Sequence, residues 1–122
     1  MAKTILIVDD SASMRQVVGI ALRDAGYDLI EASDGKEALK KLDGTKIHLI
    51  VSDINMPNMD GITFVKEVKQ HPKYKFTPII MLTTEVNQAK KDAAKEAGAK
   101  AWVTKPFQPK NLLEAVSKLI AP

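Results

Sequence analysis

Cysteine is missing from this chain, which excludes disulfides and thiolate metal centres and makes the cytoplasm the simplest location. Aromatic residues are scarce, at 5%, and form no stacking ladder. With no zinc spacing and no arginine-rich arm either, the usual marks of nucleic-acid recognition are absent. No segment approaches the roughly 18 apolar residues of a membrane span. Met1-Ala2-Lys3-Thr4 runs straight into a strand pattern, leaving no room for a signal peptide. These absences imply a soluble protein with neither membrane nor nucleic acid as its partner.

What is present is ordinary for a globular domain. The 122 residues make one domain, 45% hydrophobic and 27% charged, long enough to bury a single core. The formal charge of +3 comes from lysines spread along several helices and interrupted by acids, which reads as solvated helix faces. Such a surface favours an acidic partner peptide over nucleic acid.

Strand and helix patterns alternate throughout. Aliphatic runs at about 4–8, 27–32, 48–52, 78–82 and 101–104 read as strands. Between them, Met14, Val17, Val18, Ala21, Leu22 and Ala25 recur at helical spacing up to Gly26. Asp34 can cap a second helix carrying Ala38, Leu39 and Leu42 and stopped by Gly44. A third helix turns Ile62, Val65 and Val68 inward and closes at His71-Pro72. The fourth, 87–97, has an alanine face of Ala89, Ala93, Ala94 and Ala97, the least apolar area of any. Leu112, Leu113, Val116, Leu119 and Ile120 define the last helix. The result is an α/β chain, (βα)5, whose default is a doubly wound parallel sheet between two helix layers.

The chemistry gathers at strand exits. Asp9 and Asp10 follow the first strand and Asp53 the third, and ligands of open α/β sheets bind outside these carboxyl ends. Carboxylates this crowded repel unless a positive charge joins them, and a hard divalent cation is the usual answer. Asp9 or Asp10 capping the next helix is the competing assignment. Asp60-Gly61 reads as a cap and a permissive turn residue. The lone His48 and His71 have no second ligand at metal spacing.

Asp9-Asp10, the run Asp53-Ile54-Asn55-Met56-Pro57-Asn58-Met59-Asp60-Gly61, then Thr83, then Lys105-Pro106-Phe107, each placed after its strand, closely resemble a CheY-like response-regulator receiver domain, of the stand-alone chemotaxis type. The resemblance spans essentially the whole chain. It implies the flavodoxin-like strand order 2-1-3-4-5, which periodicity alone does not supply. It implies that Asp53 accepts a phosphoryl group from a sensor histidine kinase. Mg²⁺ would be held by the carboxylates of Asp10 and Asp53 and the main-chain carbonyl of Asn55, with Asp9 acting through water. Lys105, the Thr83 hydroxyl and the Thr84 N–H would bind phosphoryl oxygens, and a cis Lys105-Pro106 bond would aim the ammonium inward.

By the same resemblance, Thr83 and Trp102 form a switch that remodels the face of the fourth helix, fifth strand and fifth helix. Trp102 stands where the family usually has Tyr or Phe, and its N–H needs a partner if buried. Asn55 and Glu85 occupy positions that tune hydrolysis of the acyl phosphate. The implied protein is a monomeric signalling switch rather than an enzyme, with a flagellar motor switch protein as its target. Lys90, Lys91, Lys95 and Lys110 lie toward that face. The alternative is a phosphorelay carrier that passes phosphate to a histidine phosphotransfer protein. Because the sequence stops at Pro122, just past the last helix, no DNA-binding output domain is expected.

Overall fold

Aliphatic alternation in the strands divides the interior in two. The computed structural model describes residues 2–120; Met1 and Pro122, on which the expected domain bounds fall, lie outside them. The elements are β1 Thr4–Val8, α1 Ala12–Asp24, β2 Asp28–Ala32, α2 Gly35–Lys41, β3 Leu49–Ser52, α3 Gly61–Gln70, β4 Ile79–Thr83, α4 Gln88–Ala97, β5 Ala101–Thr104 and α5 Pro109–Leu119. The sheet order is β2-β1-β3-β4-β5, parallel throughout, as the resemblance implies. Successive strand residues point to opposite faces. Leu6, Val8, Ile50, Ile79 and Met81 meet α2, α3 and α4, whereas Ile5, Ile7, Leu49, Val51, Ile80 and Leu82 meet α1 and α5. Strands buried on both faces explain the unbroken apolar runs.

Several local expectations need correction. Val17 is 51% exposed, because the inward stripe of α1 is centred on Val18 and Leu22, about a quarter-turn away. Ala25 is exposed too. Helix α2 stops at Lys41, before Gly44, since Leu42 leaves helical geometry to enter the core; Gly44, at φ +106°, turns the following loop. Phe64 joins Val65 and Val68 on the buried face of α3, while Ile62 is only half-buried. On α4 only Ala94 is buried and Ala89 is exposed, so this helix rests on little apolar area.

His48 fastens the start of β3 to the start of β1. Its Nδ1 accepts from the Thr4 N–H at 3.0 Å and its own N–H donates to the Thr4 carbonyl at 2.8 Å. Burial, then the charges of Lys3 and Lys46, hold its pKa below the ordinary 6.5. Unfolding therefore takes up a proton that the native ring refuses. This contribution is fully present above pH 6.5 and is lost as pH falls through the lower native value. The urea midpoint of the native protein should decline between pH 7 and 5 more steeply than that of His48→Gln, whose side-chain oxygen still accepts a hydrogen bond but does not titrate; parallel curves would contradict this.

Candidate functional site

The β1–β3 register pairs Val8 with Ser52, so the next residues, Asp9 and Asp53, leave the sheet side by side. Asp9 and Asp53 are buried and Asp10 is exposed, and one carboxylate oxygen from each lies within 4.8 Å of the others. Neither Asp9 nor Asp10 caps α1. Ser11 does, accepting from the Met14 N–H at 3.2 Å, while its own N–H donates to Asp9 Oδ1 at 2.9 Å. The carboxylate of Asp9 is thereby fixed without being spent on the helix.

Lys105 brings the opposite charge from the exit of β5. Its backbone N–H donates to the Thr83 carbonyl at 2.9 Å, and its bond to Pro106 is cis, as the resemblance implies. The ammonium reaches Asp9 Oδ2 at 2.6 Å and Asp53 Oδ2 at 3.2 Å, with all three side chains nearly enclosed. Burial alone would lower the Lys105 pKa. The hydrogen bond to Asp9 and the charges of Asp53 and Asp9 outweigh it and hold the pKa above 10.5, so the ammonium stays charged at neutral pH. The other oxygen of Asp53, Oδ1, accepts from the N–H groups of Ile54 at 2.6 Å and Asn55 at 3.3 Å. Asp53 is oriented from both sides, with both carboxylate oxygens engaged.

Three contributors to this geometry were not foreseen from the sequence. Arg15 donates to the Asp9 carbonyl at 2.5 Å and pairs with Glu31 on β2 at 3.2 Å. It ties the end of β1 to its neighbour, and its only sequence signal is a cation one turn into the helix after the acid pair. Glu31 is the second, brought to Arg15 by the pairing of β2 with β1. Gly61 is the third in function: a Cβ there would lie 2.1 Å from the Asp53 carbonyl oxygen. The residue is needed for close approach, not for turn freedom as expected. Asp60 does cap α3, accepting from the Thr63 N–H at 2.9 Å.

The remaining candidates lie around this centre. Thr83 is fully buried at the end of β4 and its hydroxyl oxygen accepts from the Glu85 N–H at 3.2 Å. Thr84 and Asn55 are exposed. The Glu85 carboxylate is taken up by Lys90 at 2.9 Å, and that hydrogen bond is the main reason its pKa is lowered. Trp102 is half-buried on β5, with the Lys91 ammonium 5.3 Å from its ring centre. Its Nε1 is enclosed and has no hydrogen-bond partner among the described residues.

A parallel sheet in this order, with acids at two adjacent exits bridged by a lysine from a third, defines a flavodoxin-like domain whose carboxyl edge is an acidic, lysine-bridged pocket. The family model of the response regulator receiver domain matches residues 5–117. Chemotaxis protein CheY1 of Helicobacter pylori is 40% identical over 120 residues, 95% of each chain. The structure of Vibrio cholerae chemotaxis protein CheY4 superposes with a TM-score of 0.93 at 47% identity, covering 98% of this chain and 100% of that one. That of Thermotoga maritima response regulator TrrA, in complex with Mg²⁺-BeF, gives 0.86 at 35%, covering 97% and 99%. The chain belongs to the response regulator receiver domain family of two-component signalling and has the CheY fold.

The donor set suits Mg²⁺. Three carboxylates offer hard oxygens, and a single ammonium leaves them in excess. The acidic cluster can hold such an ion, and the TrrA relative contains one. Lys105→Met should destabilise the metal-free protein by about 3 kcal/mol, because two enclosed carboxylates lose their partner. Saturating Mg²⁺ should narrow that gap in urea unfolding; equal stability of the two proteins in chelator would contradict it. Gly61→Ala should cost about 2 kcal/mol through the clash with the Asp53 backbone, read as a lower urea midpoint with unchanged slope.

Proposed function

We propose that this chain, a receiver domain of a response regulator, works as a single-domain switch set by phosphorylation of Asp53, and that its donor is a histidine kinase phosphohistidine. The observation that carries the reading is the two-sided hold on Asp53: Oδ1 on the Ile54 and Asn55 N–H groups, Oδ2 facing Lys105. An Asp53 oxygen attacks phosphorus as the P–N bond breaks, and the imidazole leaves with its electron pair. The Lys105 ammonium passes from Asp53 to a phosphoryl oxygen, a preplaced charge that needs little reorganisation. The Thr83 hydroxyl and Thr84 N–H donate to other phosphoryl oxygens. The carboxylates of Asp10 and Asp53, the Asn55 main-chain carbonyl and, through water, Asp9 would hold Mg²⁺, which would supply neutralisation of the transferring group's charge. Asn55 and Glu85 flank the acyl phosphate and set how water reaches it.

The signal leaves through Thr83 and Trp102 to the face of α4, β5 and α5. The enclosed, unpaired Nε1 of Trp102 supports this, since leaving a buried donor unsatisfied costs about 1–3 kcal/mol and favours any arrangement that pairs it. The population shifts as the phosphoryl group draws Thr83 toward itself. The chemotaxis relatives support a flagellar motor switch protein as the target, bound by a monomer in the cytoplasm. Among the described residues no helix is long and apolar enough to cross a membrane.

With Mg²⁺ and a small phosphodonor, intact-mass analysis should find one acid-stable, base-labile phosphoryl group, lost in Asp53→Asn, together with a change in Trp102 fluorescence. No adduct would overturn the proposal, while an adduct with unmoved fluorescence would remove only the Trp102 step. A motor-protein peptide should bind the phosphorylated form more tightly. Efficient onward transfer to an added histidine phosphotransfer protein, without that gain, would assign a relay role instead.

A further inference from the structure

At the amino-terminal edge of the sheet, opposite the acidic pocket, the chain gathers positive charge from separate loops. Each helix ends here with a basic residue in its last turn, which the helix dipole accounts for. Lys3, Lys46, Lys73, Lys75 and Lys100 lie outside the helices and have no such explanation. They precede β1, β3, β4 and β5, at one end of the sheet. Lys73 donates to the Gly44 carbonyl, and the Tyr74 hydroxyl joins the same loop, donating to the Thr45 carbonyl at 2.6 Å and accepting from the Gly44 N–H at 3.0 Å. Lys3 and Lys46 both depress the pKa of His48, and Lys100, after burial, depresses that of Lys69, so the local field is positive at two independent points. Lys69 in turn donates to the Thr77 carbonyl at 2.8 Å.

Phe76, in the loop before β4, is 87% exposed, with the Lys75 ammonium 5.2 Å from its ring centre. Nothing in the core requires a phenylalanine there. The acids of this end are outnumbered by its cations: Asp24 and Asp28 sit at the outer β2 edge, while Asp43, held ionised by the Thr45 hydroxyl at 2.7 Å, and Glu96 in the last turn of α4 offset only part of the charge.

We propose that this pole docks reversibly on an anionic phospholipid bilayer, the loop lysines meeting headgroups and Phe76 entering the interface. The lysines come from loops below β1, β3, β4 and β5, four strands adjacent in the sheet, and the basic last turns of the helices on its two faces widen this row into an area of charge. An extended layer of negative headgroups matches an area, whereas nucleic acid asks for a basic track with several aromatics or arginines. Phe76 supplies the apolar contact that a purely electrostatic patch lacks. Asp9, Asp10 and Asp53, at the far end, are repelled by the same surface, so the docked chain presents its pocket away from the lipid. Such surface contact needs no apolar span, and among the described residues no helix is long and apolar enough to form one. The inference is independent of the phosphorylation chemistry.

Vesicle flotation with the full chain at low salt tests it, using phosphatidylcholine alone and with about one third phosphatidylglycerol. The native protein should float with the anionic vesicles only and be released by salt. Lys46→Gln, Lys75→Gln and Lys100→Gln combined should lower partition at least about tenfold, each lysine near such a surface being worth about fivefold. Phe76→Ser, a change at an exposed site with no fold role, should lower it severalfold with the urea midpoint unchanged. Equal partition into both vesicle types, native partition by the triple variant, or duplex DNA binding as tight as vesicle binding at the same salt would each overturn the proposal.

Discussion

The contact of the Lys105 ammonium with Asp9 and Asp53 is the constraint on which the rest of this structure depends. Two nearly enclosed carboxylates lie beside each other because β1 and β3 are neighbours, and a third, Asp10, adds to the repulsion. A lysine from β5 reaches across β4 to the pair, so one ion pair joins three strands at their carboxyl ends. Its worth lies less in net stability than in arrangement, since enclosed ion pairs gain little over apolar packing but are costly to break. The surrounding bonds serve the same arrangement. Arg15 steadies the Asp9 backbone from β2, Ser11 holds the Asp9 carboxylate, and Gly61 lets α3 start against Asp53.

The same strand carries the means of passing on a change. Lys105 and Trp102 are three residues apart on β5 and its exit, and the Lys105 N–H is bound to Thr83 of β4. In the proposed mechanism, a phosphoryl group that takes the ammonium from Asp53 and the hydroxyl of Thr83 would act at once on β4 and β5. Helix α4, seated by Ala94 alone among its alanines, offers little apolar resistance to a shift there. Glu85 and Lys91 are committed to contacts on that side, with Lys90 and with the Trp102 ring, so the proposed movement of either strand would rearrange charge there.

Much of this was legible in the residues. The strand runs announced a sheet buried on both faces, and the exits placed Asp9, Asp10 and Asp53 at its ligand-binding edge before any pairing was known. The adjacency of β1 and β3 was not in the periodicity; it came with the family resemblance, because register and order depend on long-range contacts that local patterns do not record. Val17 and the stop of α2 were misjudged for a related reason: an apolar residue at the margin of a stripe, or a leucine just past a helix, takes the place that packing leaves. Arg15 and Glu31 carry no local signal because their meaning lies in each other. Gly61 looked like a turn residue, and only the path of the Asp53 backbone shows why a side chain does not fit. The loop lysines carry no local signal of their placement, since loops far apart in sequence come to one end of the sheet only in the fold.

The central claim is that Asp53 takes the phosphoryl group and that Lys105 follows it. A crystal structure with Mg²⁺ and beryllium fluoride, the phosphoryl mimic held by the Thermotoga maritima relative, tests it most directly. The account predicts beryllium bonded to an Asp53 oxygen, the Lys105 ammonium moved from Asp53 to a fluorine, and the Thr83 hydroxyl turned to a second one. Fluoride bound elsewhere, or a Lys105 ammonium still paired with Asp53 beside bound fluoride, would contradict it.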